Sequence, residues 1–333
     1  MTLDNGKISE NILKRSVIKR IKTRRDDIIS SACPGGDFAA IDIKDDTSLV
    51  MTTDTVTGDI KDIGIFAVNK AVNNIAVSGA LVIGIMLAMI LPEGSDEGDI
   101  KKIMSQADLL CKELNVDIIG GHTEVSGSVK EPVITVTGIG SVKKNRLLGK
   151  KRTVPGDDVV ITKWIGIEGT VIMVNEREDE LLKRFSAPFI DTARGFSGFL
   201  SVLKDAEAVK DLEVHSMHDA STGGIFSALW ETAGAAGCGI RVDLKSIPVK
   251  QETIEISEYF GISPYEMLSG GAMVITCANG TDVVRALGEN GINAAIVGKI
   301  TDDNDRIVFN GEEKRFLEPP RGDEIYKVIK REI

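Results

Sequence analysis

The chain has 333 residues, 42% of them hydrophobic, and a formal net charge of -10. Single cores stop growing at about 250 to 300 residues, so two domains are expected. An acidic surface argues against a general nucleic-acid or anionic-membrane partner, because phosphate backbones recruit basic faces, although a small anion can still be met by a local basic patch or by backbone N–H groups.

Cys33, Cys111, Cys238 and Cys277 are far apart and show no Cys-x-x-Cys spacing. No zinc knuckle or redox motif is expected, and buried reduced thiols are. The N-terminus, Met1-Thr2-Leu3-Asp4-Asn5-Gly6-Lys7, has no apolar signal region, which predicts a cytoplasmic protein.

In chain order, Ile8, Ile12, Val17, Ile18 and Ile21 recur at near-helical spacing among Lys14, Arg15, Lys19 and Arg20. They predict a basic amphipathic helix, read either as a solvated face or as a cationic arm near a phosphate-bearing ligand. Cys33-Pro34-Gly35-Gly36-Asp37-Phe38 is a turn whose glycines let a ligand approach the main chain. Ala39 to Ile43 and Ser48 to Thr53 read as a hairpin turning at Asp45-Asp46, with Asp54 at the end of its second strand. An aspartate there is commonly a turn-former.

Ile65, Val68, Val72 and Ile75 repeat every three or four residues, giving a helix with Asn69 and Asn73 flanking its buried stripe and Lys70 and Asn74 pointing roughly away. Three asparagines on a short helix suggest a polar role or end-capping. Leu81 to Ile90 is almost wholly apolar but too short for a membrane helix, and reads as a buried strand closed by Pro92. A second amphipathic helix spans about Asp96 to Asn115, and a strand from Val116 to Ile119 leads into Gly120-Gly121-His122-Thr123-Glu124. That block reads as a loop with exposed N–H groups and oxygen ligands suited to phosphate and Mg²⁺. Pro132 to Val142 resumes as a strand.

The basic run Lys143, Lys144, Arg146, Lys150, Lys151 and Arg152 marks a linker, dividing domains at 1–152 and 153–333. The second domain opens with a strand at Val159 to Thr162, and Gly166 to Thr170 leads into a helix. In Met217-His218-Asp219-Ala220-Ser221-Thr222-Gly223-Gly224, the polar residues can cap the helix Ile225 to Ala236, whose free N–H groups favour an anion. Capping alone is the competing reading. Strands at Met273 to Thr276 and Ala294 to Val297 and a helix at Asp282 to Glu289 complete an α/β (α+β) chain.

Taken together, Gly36-Asp37-Phe38-Ala39-Ala40, Thr52-Thr53-Asp54, Asn73-Asn74-Ile75-Ala76-x-x-Gly79-Ala80, Gly120-Gly121-His122-Thr123 and Met217-His218-Asp219-Ala220-Ser221-x-Gly223-Gly224 resemble the aminoimidazole ribonucleotide synthetase (PurM) superfamily. That group includes selenophosphate synthetase, thiamine-monophosphate kinase and HypE, and the likeness is greatest to the HypE-like branch. It implies a two-domain fold, an N-terminal sheet that joins a partner's in a homodimeric barrel, and ATP with Mg²⁺ in a cleft. It implies nucleotide contacts at Gly35, Gly36, Thr53, Asn73, Gly120, Gly121, Thr123, Gly223 and Gly224, metal ligation by Asp37, Asp54, Asn74 and Glu124, and chemistry at Asp54, His122 and Asp219.

Departures from the family pattern matter equally. Phe38, Asn74 and His122 stand where relatives commonly carry aspartate, which implies weaker or fewer metal ions. The family's Ser-Glu-Gly appears as Ser269-Gly270-Gly271, without a carboxylate implicated in its chemistry. The sequence given ends Lys330-Arg331-Glu332-Ile333, where HypE carries a cysteine, so formation of a C-terminal thiocyanate on this chain is not expected.

The expected activity is transfer of the terminal phosphoryl of ATP to an amide or carbonyl oxygen of a small-molecule or protein-borne acceptor. The alternatives are a small-molecule kinase of the thiamine-monophosphate type and a nucleotide-binding maturation partner with little turnover. A HypF-like protein partner is left open.

Overall fold

The computed structural model describes residues 10–11, 14, 28–30, 33, 36, 38–43, 45–58, 60–149, 152–319 and 322–329. Gly35, Asp37, Lys150, Lys151, the final four residues and most of the basic helix read over 8–22 lie outside these. Two compact units result: Arg25–Ser31 with Asp37–Leu147, and Leu148–Ile333 with Met1–Arg24 and Ala32–Gly36.

The N-terminal unit is a six-stranded sheet with two helices. Its strands are β1 (Ile28–Ser30), β2 (Ala39–Asp42), β3 (Thr47–Thr57), β4 (Leu81–Leu91), β5 (Asp117–Val125) and β6 (Val133–Lys143), in the spatial order β1-β2-β3-β6-β4-β5. All neighbours are antiparallel except β4 and β5. The expected hairpin turns at Asp45, which takes a left-handed φ of 54°. Its second strand runs on to Thr57, so Asp54 lies within a strand rather than at its end.

Helix α1 (Ile63–Ala76) covers one face of the sheet. It sits close because β6 presents bare glycines: a Cβ at Gly140 would lie 2.5 Å from Ile75 Cγ2, and one at Gly138 would lie 3.0 Å from the Ala71 carbonyl oxygen. Helix α2 (Glu97–Leu114) starts in a capping box, Asp96 accepting from Gly98 N at 2.6 Å and Asp99 accepting from Asp96 N at 2.9 Å. Gln106 of α2 in turn accepts from Gly64 N at 3.2 Å and donates to Asp62 at 3.1 Å. The uncapped start of α1 is thereby fixed by its neighbour.

Strand β4 departs from the doubly covered strand read in the sequence. Val82, Ile85, Leu87, Met89 and Leu91 are buried, whereas Leu81 is 74% exposed and Ile83 and Met86 are also open. Register slips between Val82 and Gly84, which shifts the alternation by one residue midway along the strand.

The C-terminal unit carries a seven-stranded sheet: β7 (Asp158–Thr162), β8 (Val214–Asp219), β9 (Gly239–Asp243), β10 (Met273–Cys277), β11 (Ala294–Thr301), β12 (Arg306–Asn310) and β13 (Glu313–Phe316). Their order is β13-β12-β9-β11-β7-β10-β8, with only β9 and β12 parallel. Helices α3 (Ile167–Glu176), α4 (Ala187–Arg194), α5 (Gly224–Ala236), α6 (Gln251–Tyr259) and α7 (Gly280–Glu289) accompany it. Ile161, Ile165, Ile225, Leu229 and Val274 lie in its core. Cys111 and Cys277 are buried as expected, but Cys33 is exposed and Cys238 half-buried. Among the described residues no helix is long and apolar enough to cross a membrane.

Candidate functional site

Alternation along β3 decides what can meet what. Val50, Thr52 and Asp54 point to the face covered by α1; Thr53 and Thr55 point to the other. Asp54 therefore faces the last turns of α1. Asn74 donates its amide to Asp54 Oδ2 and to Thr52 Oγ1, each at 3.4 Å, and Lys70 Nζ lies 3.6 Å from Asp54 Oδ1. Thr55 N donates to the same Oδ1 at 2.7 Å. Lys70 is only 13% exposed and Asp54 31%.

The sequence had set Lys70 and Asn74 away from the buried stripe. They do face away from Val68 and Val72, but β3 receives them. Lys70 is the residue that sequence reasoning missed, although its i,i+4 relation to Asn74 was the available signal. Asn73 is almost wholly buried in the same helix, and Asn69 donates back to the Ile65 carbonyl at 3.1 Å.

The Gly120–Glu124 block is strand, not loop. It continues β5 in parallel register with β4, Leu87 opposite Gly121, Ala88 opposite His122 and Ile90 opposite Glu124. Gly121 is required there, because a Cβ would lie 1.9 Å from the Leu87 carbonyl oxygen. Following partners across the sheet, Thr55, Thr135, Ala88 and His122 form one row, and Asp54, Val136, Leu87 and Gly121 the adjacent one. Successive rows point to opposite faces, so His122 and Glu124 lie on the open face, where His122 Nε2 is 3.1 Å from Glu124 Oε2. Thr53 lies on that face too, its hydroxyl 3.1 Å from that of Thr137. Gly120 and Thr123 lie on exposed β5. Glu124 and Asp54 thus do not share a face.

Mg²⁺ takes near-octahedral oxygen ligation, commonly with one or two carboxylates. Beside Asp54 the described residues offer an amide and an ammonium, and none of them form a group of three or more His, Cys, Asp or Glu able to hold a metal. Among the described residues, which do not include Asp37, this donor set does not fit a protein-held Mg²⁺.

In the C-terminal unit, Asp219 ends β8 and is 3% exposed. Near it, Lys163 Nζ donates to both carboxylate oxygens of Asp205 at 2.8 Å and to the Ser201 carbonyl at 3.0 Å. Burial pushes the Lys163 ammonium below the ordinary lysine range, opposed by Asp205 and, more weakly, by Asp219.

The anion seat read at the start of α5 is filled from within. Gly223, at φ 81°, has no side-chain cap, and its N–H goes to Asp323 Oδ2 at 2.6 Å. Gly224 N donates to the Ser221 carbonyl and Phe226 N to that of Tyr265. Gly224 itself admits the 265–267 backbone, since a Cβ would lie 2.5 Å from the Tyr265 carbonyl oxygen. Gly36 similarly donates to the Cys33 carbonyl at 3.1 Å.

Gly270 is accompanied by a carboxylate from elsewhere. A Cβ there would lie 2.3 Å from Glu168 Oε2, and Glu168, at the start of α3, is only 6% exposed. Ser269 Oγ accepts from Gly166 N at 2.8 Å, which joins the two segments. The Glu168 carboxylate thus occupies the space that a side chain at position 270 would enter.

Most of the chain matches two known family domains. Residues 35–142 match the AIR synthase related protein, N-terminal domain, and residues 154–310 match the corresponding C-terminal domain. The chain belongs to the AIR synthase related protein family.

Within that family it is HypE-like. It is 28% identical over 341 residues to a Methanocaldococcus jannaschii protein named for hydrogenase expression/formation, covering 97% of each chain. It is 29% identical over 253 residues to the carbamoyl dehydratase HypE of Rhizobium leguminosarum bv. viciae, covering 74% of this chain and 70% of the relative. The fold superposes on a chain of a HypE–HypF complex with a TM-score of 0.70 at 25% identity, covering 85% and 93% of the two chains. HypE in complex with ATP gives a TM-score of 0.72 at 20% identity over 97% and 98%.

Proposed function

We propose that this protein is an ATP-dependent enzyme that phosphorylates a carboxamide or carbonyl oxygen to activate it, working in a hydrogenase-maturation-like setting. The observation that carries this reading is the likeness, end to end, to a relative named for hydrogenase expression/formation, together with identity to carbamoyl dehydratases across both domains. In the proposed reaction the acceptor oxygen attacks the terminal phosphorus and the bond to the ADP oxygen breaks. For a primary carboxamide, loss of the nitrogen protons and departure of the oxygen as phosphate leave a nitrile, which balances as a dehydration. Positioning and charge neutralisation supply most of the catalysis in such phosphoryl transfer.

Asp54, Thr52, Asn74 and Lys70 are proposed to meet the nucleotide phosphates. Asp219, a buried carboxylate of the C-terminal unit, is proposed as a catalytic residue, as the resemblance implies. Magnesium, expected from the resemblance, has no complete ligand set among the described residues.

A homodimer is proposed as well. Leu81, Ile83, Met86, Ile119 and Val125 are exposed on β4 and β5, and such apolar patches on a sheet call for cover. A maturation-protein partner of the HypF kind is proposed on the strength of the HypE–HypF complex. Incubating the protein with ATP and a panel of carboxamides, carbamoyl thiol peptides included, and following ADP by chromatography tests the reading. Acceptor-dependent ADP is expected; ADP formation indifferent to every acceptor would contradict it.

A further inference from the structure

We infer that Lys70 stands in for a divalent ion at Asp54, so that nucleotide phosphate oxygens are neutralised there by a fixed ammonium instead of a metal bridging several carboxylates. The inference deepens the nucleotide reading above and rests on it.

Three observations converge. Lys70 Nζ is 3.6 Å from Asp54 Oδ1, held on a largely buried helix with little freedom to swing away. Asn74 supplies an amide donor to Asp54, so the helix places no second carboxylate there. His122 is turned to the opposite face of the sheet and adds nothing at Asp54.

Charge balance links these changes. Two carboxylates and a dication sum to zero; one carboxylate, one neutral amide and one ammonium do as well. A divalent ion beside Asp54, Asn74 and Lys70 would leave net positive charge, and an acid at 74 with the ammonium alone would leave net negative charge facing phosphate. Asp54, Asn74 and Lys70 therefore form one neutral set, and lysine is an established point-charge partner for phosphate.

The test uses the full-length protein and a fluorescent ATP analogue, titrated in excess EDTA and in Mg²⁺, with Mn²⁺ binding alone followed by electron paramagnetic resonance. Wild-type affinity is expected to differ less than threefold between the two conditions. Lys70→Met should lose at least tenfold in EDTA, and Lys70→Arg should keep most of the EDTA affinity, which separates charge from packing should Lys70→Met fold poorly. The double variant Lys70→Gly/Asn74→Asp should bind Mn²⁺ without nucleotide, where wild type does not.

Wild-type affinity falling more than tenfold in EDTA while Lys70→Met matches wild type would overturn the inference and leave the nucleotide reading standing. So would nucleotide-free Mn²⁺ binding by wild type that Asp54→Asn abolishes. Absence of nucleotide binding under every condition would remove the reading and the inference with it.

Discussion

Asp54 and His122 project from opposite faces of one six-stranded sheet, on adjacent cross-strand rows. Groups so separated should act independently. In a double-mutant cycle on unfolding free energy, Asp54→Asn and His122→Ala should add to within about 0.5 kcal/mol, whereas Asp54→Asn and Lys70→Met should show coupling beyond that margin. Denaturant titration of the four variants and wild type checks it. Strong Asp54–His122 coupling would mean that the two side chains meet.

Asp323 satisfies three backbone donors at once, accepting from Gly223, Leu268 and Ile325 at 2.6, 3.2 and 3.0 Å. It is 4% exposed, so removing the carboxylate strands buried N–H groups. Asp323→Ala should cost roughly 3 kcal/mol, since each buried unsatisfied group costs about 1 to 3 kcal/mol. Urea midpoints measure this. A loss under about 0.5 kcal/mol would show the donors to be served by water instead.

Burial pushes the Cys111 thiol up to about 11 and the Cys277 thiol up to about 12, from an ordinary 9.0, with nearby carboxylates adding to the effect. A pKa raised in the folded state contributes stability that is complete below the unfolded value and is lost as pH rises through the folded one. Stability should therefore fall between pH 9 and about 11 to 12, and Cys111→Ala/Cys277→Ala should flatten that limb. At pH 8 a thiol reagent should modify exposed Cys33 quickly and these two only after denaturation.

Leu81 and Met86 are open on the uncovered sheet face. If a second copy covers it, Leu81→Asp/Met86→Asp should convert a dimer to a folded monomer in sedimentation velocity, with unchanged far-ultraviolet circular dichroism. A wild-type chain that sediments as a monomer at micromolar concentration would refute the dimer.

Much of this organisation was legible in the sequence, because period and punctuation carry it. The repeat through Ile65, Val68, Val72 and Ile75 marks α1, and the amphipathic stretch from about Asp96 to Asn115 marks α2. The two-domain reading and the family resemblance also stand.

Long-range pairing was the part not legible. Gly120-Gly121 reads locally as a loop, and only the close approach of Leu87 reveals why a strand needs glycine there. Lys70 reads as a solvent-facing cation until β3 places Asp54 opposite it. Ser269-Gly270-Gly271 reads as a lost acid, because Glu168 is about a hundred positions away in the chain. The helix start at Gly223 reads as an open anion seat, because its occupant, Asp323, arrives from near the end of the chain.

The central claim, that ATP is spent on an acceptor's own oxygen, is tested most directly by isotope tracing. A carbamoyl thiol peptide carrying ¹⁸O in its carbonyl is incubated with the protein and ATP, and the phosphate released is analysed by mass spectrometry. One ¹⁸O per phosphate formed is the predicted result. Phosphate whose new oxygen comes only from solvent would show hydrolysis of ATP by water and would contradict the account.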